Sequence, residues 1–282
     1  MTTTLDLDLP DGRRLRAHCS DADHDAPTVV WHHGTPQSGA LLAPVVDAAV
    51  RRGFRVVSYG RPSYGGSTPR PGRTVASAAG DVRAVLDAIG VDRAVSVGAS
   101  GGGPHALACG ALLPERTTAV VSIAGLAPLD GFDWSMGMAY DDALRAAVRG
   151  REARAAVAEP DGPPPGFVAV DWLALAGEWG ALGDDAGPAG QASPDGMVDD
   201  DVAYTHPWGF APAQVHCPVL LVHGGLDAVV PLAHSRRLLE LLPDAQLWER
   251  PQDGHVSVLR ALPVALDWVV DLAPDVRRAR TP

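Results

Sequence analysis

The sequence contains no lysine, and each of its 23 fixed positive charges is an arginine. Alanine, glycine, proline and arginine are all abundant, which indicates a biased overall composition. Long hydrophobic runs are also missing, and none approaches the roughly 18–20 residues that a membrane-spanning helix needs. The first six residues have neither a basic start nor an apolar stretch. We therefore expect no membrane span and no signal peptide.

Cysteine is scarce, with three residues in a chain of 282. Cys19, Cys109 and Cys217 are odd in number and far apart, which excludes both a disulfide framework and a cysteine-based metal cluster. We therefore expect a reduced, cytoplasmic protein with no metal ion and no other cofactor.

Positive charge is in the minority, because 34 acidic residues give a formal net charge of −11. Nucleic acid is a poor partner for such a chain, since phosphate binding needs a basic patch. Hydrophobic residues make up 46% of the chain and charged residues 20%, proportions that are typical of a folded globular protein. A small-molecule substrate is the partner we expect, and the composition leaves the oligomeric state open.

The acidic excess is confined to the middle of the chain. Residues 126–210 contain fifteen aspartates and glutamates against four arginines, and they hold four of the seven tryptophans. This shift in composition predicts a separate module inserted into the chain, with its acidic side chains mostly solvated. Within it, residues 184–201 are rich in Gly, Asp, Ala and Pro and are expected to be irregular.

Outside this middle stretch, short apolar runs alternate with segments of helical spacing. A hairpin comes first, because an Asp-Gly turn separates two alternating runs at 5–9 and 15–19. The strands and helices that follow are predicted, in order, at 28–31, 41–52, 55–58, 75–89, 93–97, 103–113, 118–123, 219–222, 232–242, 246–249 and 256–272. This order predicts an α/β fold, with a mostly parallel twisted sheet flanked by helices. Ligands of such sheets bind at the carboxyl ends of the strands.

A G-x-S-x-G pattern lies between a predicted strand and a predicted helix. The segment Gly98 to Gly102 matches the nucleophile elbow, a sharp turn that exposes a serine hydroxyl. Glycine suits its outer positions, because the strand and helix backbones approach too closely there for a Cβ atom. The N–H groups at the start of the helix would face any negative charge that develops near Ser100. Ser100 is therefore the candidate nucleophile.

A serine nucleophile needs a base, usually a histidine that is held by a buried carboxylate. In this architecture the chain order is serine, then the acid, then histidine, each after a strand. Asp227 and His255 follow the last two predicted strands, and we predict them as the acid and the base. Asp227 could instead cap the next helix. Asp130 and Asp253 are the alternative acids.

Acyl transfer also needs two donors for the oxyanion. One would be the backbone N–H of Gly101, and the other that of Thr35, in an H-G-T-P loop after an early strand. His32 and His33 are expected to fix this loop rather than to bind a metal. His105 would project away from the nucleophile along its helix, which indicates a structural role.

With these loops in place, the chain resembles the α/β-hydrolase superfamily, in the branch with a serine nucleophile and an inserted helical cap. The segment 59–67 is similar to the D-x-R-G-x-G-x-S loop of that family, although Gly60 stands where an aspartate is common. The resemblance implies a core formed by residues 1–125 and 213–282 and a cap formed by residues 126–212. Side chains of the cap would roof an apolar pocket or pack as a small core of their own; those expected to bind substrate are Trp134, Met138, Trp172 and Trp179.

The resemblance implies a serine hydrolase that cleaves a small carboxylic ester, thioester or lactone through an acyl-enzyme on Ser100. Serine at the elbow argues against the dehalogenases and epoxide hydrolases of this fold, which use aspartate there. An aminopeptidase similar to proline iminopeptidases stays open because a carboxylate of the cap could pair with a substrate ammonium, although Thr35 and Gly101 depart from that pattern. The same residues could also hydrolyse a C–C bond. A ligand-binding protein on a hydrolase fold is the non-enzymatic alternative.

Overall fold

Alternating strands and helices build one sheet with helices on both faces. The computed structural model describes residues 2–21, 23, 25–157 and 166–272. Within these residues the strands are β1 (Thr2–Asp8), β2 (Arg14–Ser20), β3 (Thr28–His32), β4 (Arg55–Tyr59), β5 (Ala94–Ala99), β6 (Thr117–Ile123), β7 (Val219–Gly224) and β8 (Ala245–Arg250). The α-helices are α1 (Ala43–Val50), α2 (Ser77–Ala88), α3 (Gly102–Leu112), α4 (Asp142–Ala147), α5 (Arg151–Ala155), α6 (Ala169–Ala176), α7 (Gly180–Ala192), α8 (Pro194–Thr205), α9 (Ala233–Leu241) and α10 (Leu262–Leu272). None of these described helices has the length and apolar character needed to cross a bilayer.

The sheet has the strand order β1-β2-β4-β3-β5-β6-β7-β8. Neighbouring strands from β4 to β8 run parallel, and the hairpin of β1 and β2 adds an antiparallel edge. This arrangement confirms the α/β fold with a mostly parallel sheet. Because the carboxyl ends of parallel strands meet at one edge of the sheet, the loops after β3, β5, β7 and β8 are brought together there.

The parallel strands are buried on both faces, which explains their short, continuous apolar sequences. In β3, Val29 and Trp31 pack in one hydrophobic cluster with Leu266 of α10, whereas Val30 between them packs in another with Leu86 of α2. Successive side chains of a strand point to opposite faces, so one strand serves both layers. Each fully buried aliphatic side chain of this kind contributes about 1.5–3 kcal/mol.

The β6–β7 segment, our name for the chain between those strands, carries α4 to α8 in its described part. Helices α7 and α8 cover most of residues 184–201, so the irregular structure expected there is wrong. The composition lowers intrinsic helix propensity, but tertiary contacts outweigh it. Asp185 of α7 accepts a hydrogen bond from the backbone N–H of Ser38 at 3.0 Å. Pro194 lies in the first turn of α8, where its missing N–H costs little.

Three acidic side chains of the β6–β7 segment are buried, whereas its other described acidic side chains are at least partly exposed, in keeping with the expectation that they are mostly solvated. Asp171, Asp199 and Asp200 are at most 3% exposed. Each accepts hydrogen bonds from arginine side chains or from backbone N–H groups. The acidic composition therefore contributes internal contacts as well as surface charge.

The last predicted helix starts later than its sequence pattern indicates. The residues Ser257–Ala261 form a 3₁₀ turn, and α10 begins only at Leu262. The N–H groups of Val256 and Ser257, which open this turn, donate to the carboxylate of Asp171. A side chain from a distant helix thus fixes the chain just after His255.

Candidate active site

Ser100 lies on the sharp turn between β5 and α3. Its φ angle of +52° falls in the left-handed region, which a non-glycine residue rarely adopts. The turn is held by the N–H of Ser100, which donates to the carbonyl of Ile123 at 2.8 Å. A Cβ atom at Gly98 would lie 2.2 Å from the carbonyl oxygen of Gly102, so glycine is required where the strand and the helix meet. The local geometry is that of the predicted elbow.

His255 lies in the loop after β8 and reaches both other candidate residues. Its Nε2 is 3.0 Å from Ser100 Oγ, and its Nδ1 is 2.7 Å from Asp227 Oδ2. A carboxylate only accepts, so Nδ1–H donates to Asp227 and Nε2 is left to accept the hydroxyl proton of Ser100. The three residues predicted from the order of their loops are therefore brought together as one chain of hydrogen bonds.

Asp227 follows β7 and is held as a buried carboxylate. Its Oδ1 accepts hydrogen bonds from the N–H groups of Val229 and Val230, both at 2.9 Å. His223 adds a further contact, with Nε2 3.4 Å from Asp227 Oδ2. Burial alone favours the neutral acid, but the neighbouring His255 and His223 hold the pKa of Asp227 below its ordinary value. The side chain thus stays ionised beside the imidazole.

The imidazole of His255 is nearly enclosed, with 10% of the side chain exposed. Burial by itself lowers the pKa of His255, but the carboxylates of Asp227 and Asp171 outweigh it and raise the pKa above the ordinary histidine value. Phe167 stacks on the ring, with centroids 6.3 Å apart and an interplanar angle of 25°. These contacts fix the plane of the imidazole and favour its protonated form.

The predicted oxyanion donors lie beside Ser100. Among the described residues, no protein acceptor receives a hydrogen bond from the backbone N–H of Thr35 or of Gly101. The two residues are close, because a Cβ atom at Gly101 would lie 2.6 Å from Thr35 Oγ1. The carbonyl of Gly101 accepts hydrogen bonds from Tyr204 Oη at 3.0 Å and His105 Nδ1 at 2.8 Å. Both N–H groups are thus without a protein acceptor among the described residues, as the donors of an oxyanion hole must be.

The three histidines predicted to be structural are buried and engaged. His32 Nε2 contacts Ser96 Oγ at 2.8 Å, and burial lowers the pKa of His32 to about 3. His33 Nδ1 donates to the carbonyl of Gly34 at 2.7 Å. Burial also holds the pKa of His33 and of His105 well below the ordinary value, so both rings are neutral. In the part of the chain that the structure describes, no group of three or more His, Cys, Asp or Glu side chains could hold a metal ion.

A buried charge cluster contacts the loop of Thr35, and sequence reasoning missed it. Arg61 donates from Nη2 to Asp200 Oδ2 at 2.7 Å, and Arg73 donates from Nη1 to Asp200 Oδ1 at 2.6 Å. Tyr64 donates its hydroxyl to the same carboxylate at 3.0 Å. Burial opposes ionisation of Asp200, but the two guanidinium groups hold its pKa well below the ordinary range. Asp200 lies more than 120 positions from Arg61 and Arg73 in the chain, so no spacing in the sequence could have revealed the cluster.

The residues predicted to bind substrate are found in different surroundings. Trp172 is 41% exposed and packs against Phe167, the residue that stacks on His255. Trp179 is 3% exposed and belongs to the main hydrophobic core. The Trp134 ring lies under an arginine guanidinium, and Met138 is half-buried. Contact of these four side chains with substrate stays a prediction, and the geometry favours Trp172 among them.

The alternative acids lie elsewhere. Asp130 is exposed, and no hydrogen bond joins it to His255 in the described part of the chain. Asp253 accepts a hydrogen bond from Arg250 Nε at 2.7 Å, within its own turn. Asp227 is therefore the carboxylate that contacts His255 Nδ1.

Comparison with known proteins identifies the family of the chain. A sequence profile of the family described as alpha/beta hydrolase fold matches residues 27–168. The chain is 30% identical over 263 residues to RutD of Caulobacter sp. (strain K31), provisionally named a carbamate hydrolase, covering 87% of this chain and 89% of that one. It is 29% identical over 253 residues to the bifunctional esterase/perhydrolase DCH of Acinetobacter calcoaceticus, covering 82% and 86%. The structure of the enol-lactonase from Burkholderia xenovorans LB400 is similar with a TM-score of 0.71 and 22% identity, covering 96% of this chain and 100% of that chain.

The chain belongs to the α/β hydrolase fold family. The family resemblance expected from the sequence is thereby confirmed, and the relatives are enzymes that bear the names of hydrolases acting on small molecules. The structural likeness, at 22% identity, bears on the fold alone.

Proposed function

We propose that the protein is a serine hydrolase that cleaves a small carboxylic ester, thioester or lactone. The observation that carries this proposal is the hydrogen-bonded chain from Ser100 Oγ through His255 to Asp227, with distances of 3.0 and 2.7 Å. A nucleophile, a base and an orienting acid in hydrogen-bond contact are the minimum that serine-based acyl transfer requires. The names of relatives that act on esters and carbamates support the same type of reaction.

Acylation follows from the positions of the donors. Ser100 Oγ attacks the carbonyl carbon while its proton passes to His255 Nε2, and Asp227 stabilises the imidazolium that forms. The carbonyl oxygen becomes an oxyanion that accepts hydrogen bonds from the N–H groups of Thr35 and Gly101. Collapse of the tetrahedral intermediate breaks the bond to the leaving group, which takes the proton from His255. One oxyanion donor of this kind typically changes turnover by about 10²–10³-fold.

Deacylation repeats the same steps with water as the nucleophile. His255 takes a proton from the water, whose oxygen attacks the acyl carbon, and then returns a proton to Ser100 Oγ as the carboxylic acid leaves. No cofactor is required for either half of the reaction. We also propose that residues 126–212 act as a cap over a core of residues 1–125 and 213–282, with Trp172 closest to the bound acyl group, and that the protein is cytoplasmic.

Hydrolysis by wild type and by Ser100→Ala tests the proposal. The substrates are p-nitrophenyl acetate and butyrate, an acyl thioester, a lactone, a carbamate and a prolyl arylamide. We expect turnover of at least one ester, thioester or lactone by wild type and loss of that turnover in Ser100→Ala. Equal rates for the two proteins on every substrate would overturn the proposal, and cleavage of the arylamide alone would favour an aminopeptidase instead.

A further inference from the structure

The β6–β7 segment carries two fully buried carboxylates, and each contacts a different loop of the proposed active site. Asp171 comes from α6 and Asp200 from α8, and both side chains are 0% exposed. An ionised carboxylate is costly to bury unless charges or hydrogen bonds compensate it. The partners of these two groups therefore indicate what they stabilise.

Asp171 is surrounded by the loop that carries His255. Its Oδ1 accepts hydrogen bonds from the N–H groups of Val256 and Ser257, at 2.9 and 2.8 Å, and from Ser257 Oγ at 2.8 Å. Its Oδ2 lies 3.2 Å from the N–H of His255. A Cβ atom at Gly254 would lie 2.3 Å from Oδ2, so glycine permits the approach. The backbone on both sides of the proposed base is thus folded around one side chain.

Asp200 holds the loop that carries the Thr35 donor. Its Oδ2 accepts the hydroxyl proton of Thr35 at 2.7 Å. Arg61, whose charge Asp200 balances, donates from Nη2 to Thr35 Oγ1 at 2.9 Å and to the carbonyl of Gly34 at 3.1 Å, and from Nη1 to the carbonyl of His33. Three consecutive residues of the oxyanion loop are therefore bound to a single buried ion pair.

The charges around the two carboxylates differ. Arg61 and Arg73 both contact Asp200, which leaves one positive charge in excess behind the Thr35 loop. Asp171 instead faces backbone and hydroxyl donors, so its negative charge acts on the nearby imidazole of His255. Among the described residues, Asp227 and Asp171 are the charged groups that act on this imidazole.

We propose that Asp171 and Asp200 are positioning residues for the reaction proposed above: Asp171 orients the base His255, and Asp200 orients the oxyanion donor Thr35. This inference rests on the proposed function, because it assigns the two side chains to that reaction. It makes the β6–β7 segment a part of the catalytic machinery in addition to its role as a cover for the substrate.

Asp171→Asn and Asp200→Asn test the proposal against two surface controls. An asparagine keeps the volume but places an NH₂ group against donors that need an acceptor. Glu178→Gln is the control for Asp171: it removes an exposed ion pair with Arg260, which lies in the 3₁₀ turn that follows His255. Asp195→Asn is the control for Asp200: it removes an exposed carboxylate from the same helix, α8. Ester kcat/KM is measured against pH for each protein, with active sites counted by fluorophosphonate titration so that misfolded protein does not enter the rate.

The expected results differ between the two variants. Per competent site, Asp171→Asn loses about tenfold or more in kcat/KM, and the acid limb of its pH profile moves to lower pH, because a negative charge that raises the pKa of His255 is gone. Asp200→Asn loses about 10–100-fold in kcat, with the acid limb unmoved; this loss is smaller than the about 10²–10³-fold for a donor that is removed, because the N–H of Thr35 is displaced but kept. Both control variants stay at the wild-type rate.

Three milder variants apply if the asparagine variants do not fold. Thr35→Val removes the hydroxyl that binds Asp200 but keeps the backbone N–H, and Thr35→Ser restores the hydroxyl. Ser257→Ala removes one donor to Asp171. We expect Thr35→Ser to recover most of the kcat that Thr35→Val loses, and Ser257→Ala to lower kcat.

The proposal and the proposed function fail in different ways. The positioning roles would be overturned if Asp171→Asn and Asp200→Asn had the same rate per competent site as the controls. They would also be overturned if Thr35→Val and Thr35→Ser had equal rates and Ser257→Ala kept full activity. Wild type no more active than Ser100→Ala would instead overturn the proposed function itself.

Discussion

At the scale of single residues, the site depends on one imidazole between two carboxylates. His255 contacts Asp227 directly at 2.7 Å, and Asp171 holds the N–H of the same residue at 3.2 Å. Burial would remove charge from the ring, yet the two carboxylates raise its pKa. A base of this kind is strong enough to take the proton of Ser100 and must be neutral before it can do so.

The pH dependence of ester hydrolysis follows from that raised pKa. The active form carries neutral His255, so kcat/KM is full above the pKa of His255 and is lost as pH falls through it. Because this pKa lies above the ordinary value of about 6.5, we expect the midpoint of the acid limb above about pH 6.5. Initial rates over a pH series at low substrate concentration measure it. A midpoint below the ordinary histidine value would contradict the account.

The identity of the acid gives a second residue-scale prediction. Asp227→Asn should lower kcat by up to about 10⁴-fold, because the histidine loses the partner that fixes its tautomer. Asp130→Asn changes an exposed carboxylate, and Asp253→Asn changes one that binds Arg250 within its own turn. We expect both to keep activity within a few-fold of wild type in the same ester assay. A loss in either that matches Asp227→Asn would show that the acid is misassigned.

At the scale of secondary-structure elements, the turn between β5 and α3 fixes the nucleophile. The positive φ of Ser100 and the close contact of Gly98 with Gly102 are properties of that junction and not of either element alone. Residues in such sparsely populated conformations persist only where the surrounding structure holds them. Both neighbouring elements are buried, so the junction has little room to relax.

Two glycine substitutions test this view of the junction. Gly98→Ala places a Cβ atom 2.2 Å from the Gly102 carbonyl oxygen, so we expect a large fall in melting temperature and in ester turnover. Gly80→Ala is the matched control, because that glycine is exposed within α2 and a Cβ atom there meets nothing within 4 Å. It should stabilise the protein by about 0.5–1 kcal/mol. Thermal unfolding in which the two variants behave alike would contradict the assigned geometry.

The elements themselves were largely predictable from the sequence, and the exceptions share one cause. The strands of the sheet and the helices that flank it were predictable from apolar runs bounded by Gly or Pro. The reason is that the local pattern of apolar residues decides which face of each segment is buried. The helices over 184–201 were missed because contacts such as Asp185 with Ser38, distant in sequence, stabilise a segment of low helix propensity. The late start of α10 has the same origin, in the contact of Asp171 with Val256.

At the scale of the whole molecule, the β6–β7 segment and the sheet are joined by buried charge. Asp200 of that segment binds Arg61 and Arg73 of the loop between β4 and α2, and all three are at most 4% exposed. Removal of one member of a buried ion pair leaves an uncompensated charge, which typically costs about 3–5 kcal/mol. The order of the loops along the chain predicted Ser100 and His255. Asp200 and its two arginines come together only in the tertiary fold, so no spacing in the sequence pointed to them.

The buried carboxylate gives a prediction for stability against pH. The pKa of Asp200 is lower in the folded protein than in the unfolded chain, so its contribution is complete above the unfolded value of about 3.9 and is lost as pH falls from there toward the folded value. We expect the urea midpoint of wild type to fall over that range. Asp195→Asn, at an exposed site, should follow wild type. Asp200→Asn should be less stable near neutral pH and depend less on pH; equal stability of the two variants would contradict the ion-pair assignment.

The central claim is that Ser100 is a nucleophile activated by His255, and covalent labelling tests it most directly. Intact-mass and peptide spectra after reaction with a fluorophosphonate should show one adduct in wild type, on the peptide that contains Ser100. Ser100→Ala should carry none, and His255→Gln should react far more slowly than wild type. An adduct on another residue, or labelling of Ser100→Ala at the wild-type rate, would contradict the account.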